Sequence, residues 1–268
     1  MDNTSSPAVA VIGGSGLYEL FDGPSERVEV ATPFGDTVVL TSGELGGREI
    51  LFLPRHGADH SVPPHLIPAR STIWALASLG VRALISTAAV GSLNPALPVG
   101  TIAVPDQLVD RTWGRRDSYF DGSTVRHLPF SDPFGSRLRE LALQSCPELV
   151  DGATVLVIQG PRFSTRAESM INRTAGIDLV NMTLYPEAAL AAELGIDMVA
   201  LCLVTDVDSG ETAEEAVTAE TVFARLAEAR PRLISAIARI AASVPRDYVA
   251  RELIDRDAVA GVMAGRSR

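Results

Sequence analysis

Two hydrophobic patterns alternate along this chain, one typical of buried strands and one typical of helices. Short runs made almost wholly of apolar residues predict strands that are buried on both faces of a sheet. Strands are predicted at residues 8–12, 27–33, 38–42, 49–54, 82–89, 101–104, 154–158, 178–182 and 198–205. Helices, some begun by proline or ended by glycine, are predicted at residues 69–79, 134–149, 186–195, 214–243 and 247–263.

The alternation of strands and helices, without a linker, indicates one α/β domain. No shift in composition, internal repeat or low-complexity tract divides residues 1–268, so a largely buried, mixed β-sheet flanked by helices is the simplest architecture. Its last part, about residues 214–268, is predicted to be helical. Residues 106–122 are predicted to form a loop that closes over a site or reaches a neighbouring subunit, because a segment of this length has no clear element.

The composition argues against several classes of protein and partner. With 46% apolar and 21% charged residues, the 268-residue chain is expected to fold around a core. Its formal net charge of −10 argues against nucleic acid and anionic membrane surfaces as partners, although a small anion needs only a few local donors. Cys146 and Cys202 lack metal-type spacing, and the N-terminal residues lack a signal-peptide pattern. A cytoplasmic protein without a transmembrane segment is therefore expected.

Two carboxylates, Asp206 and Asp208, follow directly on the apolar run of residues 199–205. Because an unpaired buried carboxylate is costly, the acids either lie in solvent beyond the strand, one of them capping the next helix, or are held at the mouth of the sheet. Ligands usually bind at that mouth in α/β sheets. We favour the second alternative, in which the pair binds a ligand rich in nitrogen donors and acceptors.

Three segments that follow predicted strands carry groups suited to an anion. The turn Gly13-Gly14-Ser15-Gly16 can form a nest of backbone N–H groups with the Ser15 hydroxyl as an added donor, or be a bare turn. Arg55 and His56 adjoin a glycine and offer a planar donor fork and a switchable donor. Ala88 and Ala89 lie where another strand ends in small residues, whose N–H groups can bind a phosphate.

Less specific alternatives exist for two of the marked segments. His56, Asp59, His60 and His65 are metal-ligand types, but no cysteine or further histidine is close, so the metal interpretation is weak and a solvated loop competes with it. Phe163, which follows Gly-Pro, either presents an aromatic face to a flat heterocycle or packs in the core.

Eleven short segments, in order from residue 11 to residue 210, together carry a family resemblance. They are VIGGSGLYEL, TPFGD, PRHGADHSVPP, IWAL, STAAVGSL, DQLVDRT, YFDGS, HLPFSDPF, GPRFSTRAES, NMTLYPEAALA and TDVDSG. The set resembles the 5′-methylthioadenosine phosphorylases, within the larger family of trimeric purine nucleoside phosphorylases. The resemblance implies a nucleoside phosphorylase fold with a partly barrel-like central sheet, a homotrimer, and phosphorolysis of a purine nucleoside with inorganic phosphate as co-substrate and no cofactor.

The resemblance also implies roles for matched positions. The implied phosphate contacts are Ser15, Arg55, His56, the backbone of Ala88 and Ala89, and Thr183. Met182 would lie under the ribose, Phe163 and Ser164 would line the base pocket, and Asp206 and Asp208 would face the purine N7 and its 6-substituent. His127, contributed by a neighbouring subunit, and Ala219 would border the 5′ group. Ala88 replaces a Thr or Asn common in relatives, Pro68-Ala69 replaces Asn-Tyr, and the match is weakest after about residue 245.

Cleavage of the bond between ribose and purine leaves negative charge on the base, which an acid must neutralise. We assign this role to Asp206, because burial and an acidic neighbour both favour its protonated form. Asp208 would accept from a 6-amino group, which favours S-methyl-5′-thioadenosine as substrate. A 6-oxopurine nucleoside or methylthioinosine phosphorylase is the nearest alternative. A nucleoside hydrolase and a non-catalytic nucleoside-binding protein are the alternatives of a different class.

Overall fold

The computed structural model describes residues 8–122, 125–208 and 218–265. Its strands are β1 (Ala8–Gly13), β2 (Ser25–Ala31), β3 (Thr37–Leu45), β4 (Arg48–Pro54), β5 (Val81–Ser92), β6 (Ile102–Val104), β7 (Gln107–Arg111), β8 (Val150–Asp151), β9 (Thr154–Ile158), β10 (Leu179–Asn181) and β11 (Asp197–Asp206). Its helices are α1 (Ala69–Ser78), α2 (Ser136–Ser145), α3 (Arg166–Thr174), α4 (Leu184–Glu193), α5 (Ala219–Ser243) and α6 (Arg256–Met263), with a short 3₁₀ turn at Pro64–Leu66. Of the helices in this part of the chain, none has the length and apolar content needed to cross a lipid bilayer.

All of these strands join one mixed sheet that branches along β5. One path runs β2-β3-β4-β1-β5-β10-β9-β7, and β11 adds to β5 outside that path and carries β6 and then β8. β5 pairs in parallel with both β1 and β11, and its last residues pair antiparallel with β10. Because β4 is also parallel to β1, the carboxyl ends of four long strands meet at one edge of the sheet.

The two faces of the sheet are covered by different helices, and this explains the continuous apolar pattern. All ten residues of β11 are buried. Ala200 and Cys202 join a core cluster with Leu76 of α1, whereas Val199 and Leu201 join a cluster with residues of α2 and α5. Successive side chains of a strand point to opposite faces, so a strand covered on both sides needs apolar residues at every position. The predicted α/β architecture, a mixed sheet flanked by helices, is confirmed.

Two predictions of secondary structure were wrong in part. The predicted loop 106–122 begins with strand β7, which pairs in parallel with β9. The predicted helix 247–263 is helical only in α6, which begins after Asp255, whose carboxylate accepts from the Ala258 backbone N–H at 2.8 Å. Before that cap, Tyr248 and Arg251 both bind the buried Asp197 carboxylate through contacts of 2.7 Å. These long-range contacts replace the helix that the local pattern favours.

Two other helices also differ from what the sequence predicted. Helix α5 runs unbroken through Pro231, and residues 214–217 of the predicted helix lie outside the described residues. Helix α3 follows the Gly160-Pro161 segment, where no helix was predicted, and it begins with a capping box between Thr165 and Glu168. That box satisfies two free backbone N–H groups of the first turn, so it fixes where the segment turns helical.

Candidate active site

A cavity of about 310 Å³ opens where the carboxyl ends of β1, β4, β5, β10 and β11 converge. Its walls include all but one of the site residues predicted from the sequence. They are Ser15, Arg55, His56, Ala88, Ala89, Phe163, Ser164, Met182, Thr183, Asp206, Asp208 and Ala219. The exception is His127, which is exposed and lies outside this cavity in the chain described. Its contribution to a neighbouring subunit stays a prediction.

Arg55 is buried, with a side chain only 1% exposed, and it is paired with a residue that the sequence did not single out. Its Nε and Nη2 donate to the two carboxylate oxygens of Glu187 at 2.5 and 2.8 Å. Nη2 also donates to Ser86 Oγ at 2.6 Å, and Nη1 to the Thr87 carbonyl at 2.8 Å. Four of the five N–H groups of a guanidinium are thus engaged, which leaves one on Nη1 for a ligand. The glutamate offsets a charge that arginine cannot lose.

The neutral His56 ring carries its proton on Nδ1, the nitrogen that faces the Val62 carbonyl. Nδ1 lies 2.8 Å from the Val62 carbonyl oxygen, which can only accept, so Nδ1 carries the hydrogen. Burial lowers the pKa of His56 to about 4, helped by the nearby Arg55 and His60. The ring is therefore neutral near pH 7, and Nε2 is an acceptor rather than the donor expected from the sequence. Such an acceptor suits the O–H of a hydrogen phosphate.

The glycine turn after β1 fits closely against β5. The Gly14 backbone N–H donates to Thr87 Oγ1 at 2.8 Å, so this group is not available to the predicted anion nest. A Cβ at Gly13 would lie 2.4 Å from the Leu17 carbonyl oxygen, and one at Gly14 would lie 2.5 Å from the Thr87 carbonyl oxygen. Only glycine permits this approach, and it brings Ser15 to the cavity wall.

Both acids at the end of β11 are buried, which rules out the alternative of a solvated loop. Asp206 and Asp208 are 8% and 4% exposed. Asp206 accepts from the Thr205 hydroxyl at 2.8 Å and from the Asp208 backbone N–H at 2.9 Å. Burial, with a smaller effect from the Asp208 charge, raises the pKa of Asp206 to about 6. A Cβ at Gly91 of β5 would lie 2.7 Å from Asp206 Oδ1, so the glycine makes room for this carboxylate.

The wall formed by β10 and the segment after β9 has one unused polar group. Ser164 Oγ is buried and has no hydrogen-bond partner, so it is available to a ligand. Met182 packs so closely on Gly160 that a Cβ there would lie 2.6 Å from its sulfur. Asn181 orders this wall, because its side chain accepts from the Thr183 N–H at 2.7 Å and donates to the Ala89 carbonyl at 3.2 Å.

A further part of the cavity, next to His56, is aromatic, which the sequence did not reveal. The His60 ring packs 4.5 Å from His56 and 5.3 Å from Phe223, measured between ring centroids. The Tyr18 hydroxyl lies 3.1 Å from His60 Nδ1. Phe223 lies one helical turn after Ala219 at the start of α5, and spacing of this kind places both on one face of a helix. Among the described residues no three His, Cys, Asp or Glu side chains are grouped to hold a metal ion, so the metal alternative for this loop has no geometric support.

Comparison with known proteins adds a family to this geometry. The family model of the phosphorylase superfamily matches residues 8–242. The S-methyl-5′-thioadenosine phosphorylase of Mycobacterium tuberculosis is 51% identical over 221 residues, which cover 82% of this chain and 83% of the relative. The purine nucleoside phosphorylase of Streptomyces coelicolor is 43% identical over 266 residues, which cover 92% and 94%. The structure of methylthioadenosine phosphorylase from Schistosoma mansoni in complex with adenine superposes with a TM-score of 0.83 and 30% identity over 97% of each chain.

Proposed function

Because this chain belongs to the phosphorylase superfamily, we propose that it cleaves S-methyl-5′-thioadenosine with phosphate to give adenine and 5-methylthioribose 1-phosphate. One observation carries the proposal: a single cavity has anion-binding groups on one wall and a buried pair of acids on another. Several relatives, at 40–51% identity, are S-methyl-5′-thioadenosine phosphorylases. No cofactor is needed for such a displacement, and phosphate is the second substrate.

Phosphate would bind between the ends of β1, β4 and β5. The donors would be the Ser15 hydroxyl, the free Arg55 Nη1 N–H, the Thr183 hydroxyl and the backbone N–H groups of Ala88 and Ala89, which all border the cavity. Neutral His56 would accept from a protonated phosphate oxygen through Nε2. Held in this way, phosphate attacks the sugar carbon as the bond to the base breaks, and its negative charge stabilises the positive charge that develops on the sugar.

Asp206 would protonate N7 of the departing adenine. A carboxyl group with a pKa of about 6 is protonated in about one molecule in ten at pH 7, whereas a solvated aspartate is almost never protonated there. The Thr205 hydroxyl and the Asp208 N–H hold this carboxyl group in place. Asp208 would accept from the 6-amino group, and Phe163 and Ser164 would line the plane and edge of the base.

The sugar would lie over Met182, with its 5′ group directed to the aromatic end of the cavity. Ala219, Val222 and Phe223 give that end an apolar surface, which favours a methylthio group over a hydroxyl because a buried hydroxyl without a partner is costly. We include in the proposal that His127 of a neighbouring subunit completes this pocket in a cytoplasmic homotrimer.

A substrate panel with and without phosphate tests the proposal. Purified protein should release adenine from methylthioadenosine only when phosphate is present, as followed by chromatography of the free base. Methylthioinosine and inosine should react more slowly. Release of adenine in phosphate-free buffer would indicate a hydrolase, and tight binding without release would indicate a binding protein. Faster cleavage of inosine than of methylthioadenosine would favour the 6-oxopurine alternative. The similarity to a purine nucleoside phosphorylase is the reason to test it.

A further inference from the structure

Ser169 connects helix α3 to the acid pair at the end of β11. Its hydroxyl donates a short hydrogen bond to Asp208 Oδ2, across 39 residues of sequence. Ser169 and Asp208 are each 4% exposed. Asp208 is also held with a φ of +54°, in the left-handed region that few non-glycine residues adopt. The orientation of the Asp208 carboxylate is therefore fixed from both its backbone and one of its oxygens.

The Ser169 hydroxyl donates its proton mainly to Asp208 Oδ2. The same oxygen lies 3.1 Å from the Thr165 carbonyl, but that carbonyl already accepts the Ser169 backbone N–H at 3.0 Å. A hydroxyl has one proton, and a charged carboxylate is a stronger acceptor than a neutral carbonyl. Removal of the hydroxyl therefore leaves the helix bonds intact and takes a donor from Asp208 alone.

Ser169 also ties the acid to the loop that lines the base pocket. Phe163 and Ser164 border the cavity and precede helix α3 directly. The start of that helix is tied to the segment before it, because Glu168 accepts from the Thr165 backbone N–H at 2.7 Å and from two Arg162 nitrogens at 2.8 Å each. The hydrogen bond from Ser169 thus links the segment on one side of the base pocket to Asp208 on the other.

We propose that Ser169 is a positioning residue that holds one oxygen of Asp208, so that the other oxygen accepts the 6-amino group of the purine. Ser169 thereby sets the preference for 6-amino over 6-oxo purines. This role deepens the proposed function and depends on it for its substrate. Without the hydroxyl, the buried carboxylate turns to find another donor, and its free oxygen no longer meets the exocyclic amine.

The test compares two substrates in Ser169→Ala and in the wild type. For methylthioadenosine, kcat/KM should fall about ten- to a hundredfold, the usual range for a hydrogen bond to a charged group. For methylthioinosine it should fall less than about threefold, because an oxo group gains nothing from the acceptor. Ser169→Thr, which keeps the hydroxyl, should retain the preference. An equal loss for both substrates would show a merely structural role and overturn the proposal.

A double-mutant cycle with Asp208→Asn shows whether Ser169 acts through Asp208. Adding Ser169→Ala to Asp208→Asn should change kcat/KM for methylthioadenosine by less than about twofold, because the group that Ser169 positions is already altered. Additive losses would contradict the proposal. Ser71→Ala is the matched control, since Ser71 is also a buried helix serine and donates to the Asp36 carboxylate at 2.5 Å, outside the cavity. It should leave the substrate preference unchanged.

Binding of free bases separates this inference from the proposed function. Calorimetry should show adenine bound more tightly than hypoxanthine by the wild type, with the difference largely lost in Ser169→Ala. If methylthioadenosine were not cleaved but this difference appeared, the proposed function would fall and the role of Ser169 would stand. Equal preference for adenine in both proteins would refute the role of Ser169, whatever the enzyme cleaves.

Discussion

At the β4 end of the cavity Arg55 is buried with a counterion, and at the β11 end Asp206 is buried without an ion-pair partner among the described residues. Arg55 makes a bidentate pair with Glu187, whereas Asp206 accepts from two neutral donors, the Thr205 hydroxyl and the Asp208 amide. The difference follows from the side chains. A guanidinium cannot lose its proton, so burial requires an opposite charge. A carboxylate can gain one, so burial raises the pKa of Asp206 to about 6 instead.

This contrast matches the chemistry proposed for each end. An anion site needs donors that stay in place, and the Glu187 pair fixes the Arg55 fork while it reduces the net charge. An acid site needs a proton that can leave, and an ion pair at Asp206 would hold the carboxylate in its charged form. Burial thus requires a close counterion for Arg55, which cannot lose its charge, and favours the protonated form of Asp206, which can.

The largest effect is expected from breaking the buried ion pair. Glu187→Ala leaves a buried guanidinium without its counterion, which should lower the free energy of unfolding by about 3–5 kcal/mol. Urea denaturation followed by circular dichroism measures the loss. Glu252→Ala removes the partner of Arg256 in an exposed i,i+4 pair and should leave the free energy of unfolding nearly unchanged, because an exposed ion pair contributes little. Similar losses in the two variants would mean that the burial of Arg55 does not require Glu187.

The opposite end should lose activity rather than stability. Asp206→Asn keeps the shape of the side chain but has no acidic proton, so kcat for methylthioadenosine should fall roughly a hundredfold to a thousandfold, as for loss of a general acid. Its free energy of unfolding should stay close to that of the wild type at pH 7, because a neutral amide replaces a desolvated carboxylate. Near-normal turnover would show that Asp206 is not the proton donor.

Lowering the pH should change the contributions of Asp206 and His56 to protein stability in opposite directions, because their pKa values are shifted in opposite directions. The folded pKa of Asp206 is about 6, above its unfolded value, so folding takes up a proton and Asp206 stabilises the protein increasingly as the pH falls from 6.5 to 4.5. Relative to Asp206→Asn, the wild type should gain about 2 kcal/mol over that range. The folded pKa of His56 is about 4, below its unfolded value, so His56 increasingly destabilises the folded protein as the pH falls over the same range.

Urea titrations at several pH values measure both terms. His56→Asn should therefore be less sensitive to acid than the wild type, by about 2 kcal/mol between pH 6.5 and 4.5, and Asp206→Asn should be more sensitive. In the wild type the contributions of Asp206 and His56 largely cancel. The pH dependence of its free energy of unfolding over this range is therefore a poor test. If both variants shifted in the same direction, the opposite protonation of the two ends would be wrong.

The sequence predicted most of the strands, though not β7 or β8, and most of the cavity wall, because both depend on local patterns. A strand buried on two faces must be apolar throughout, so the residues that interrupt it, Asp206 and Asp208, stand out. The ends of parallel strands share one edge, so the glycine turn after β1 and the small residues in the last part of β5 could be assigned to one place from the sequence. The family resemblance, now confirmed, pointed to the same residues.

What the sequence did not reveal depends on contacts between distant residues. Glu187 looks like an ordinary acid in the first turn of a helix, and its partner Arg55 is 132 residues away. Ser169 follows a capping signal, and nothing local links it to Asp208. Residues 247–255 have a helical pattern, but Tyr248 and Arg251 bind Asp197 instead. In each case a buried charged group binds partners that are distant in sequence, so the local spacing of residues could not predict the contact.

The smallest effect in this comparison is expected at Ser15, which is proposed to bind the anion without a charge of its own. Ser15→Ala removes one donor of several, so KM for phosphate should rise about tenfold while kcat at saturating phosphate stays nearly constant. Steady-state kinetics with varied phosphate and fixed methylthioadenosine measures both constants. Ser25→Ala, at an exposed position in β2, should change neither. A fall in kcat with an unchanged KM for phosphate would mean that Ser15 acts in the proton transfer at Asp206 rather than in phosphate binding. The assignment of separate roles to the two ends of the cavity would then be wrong.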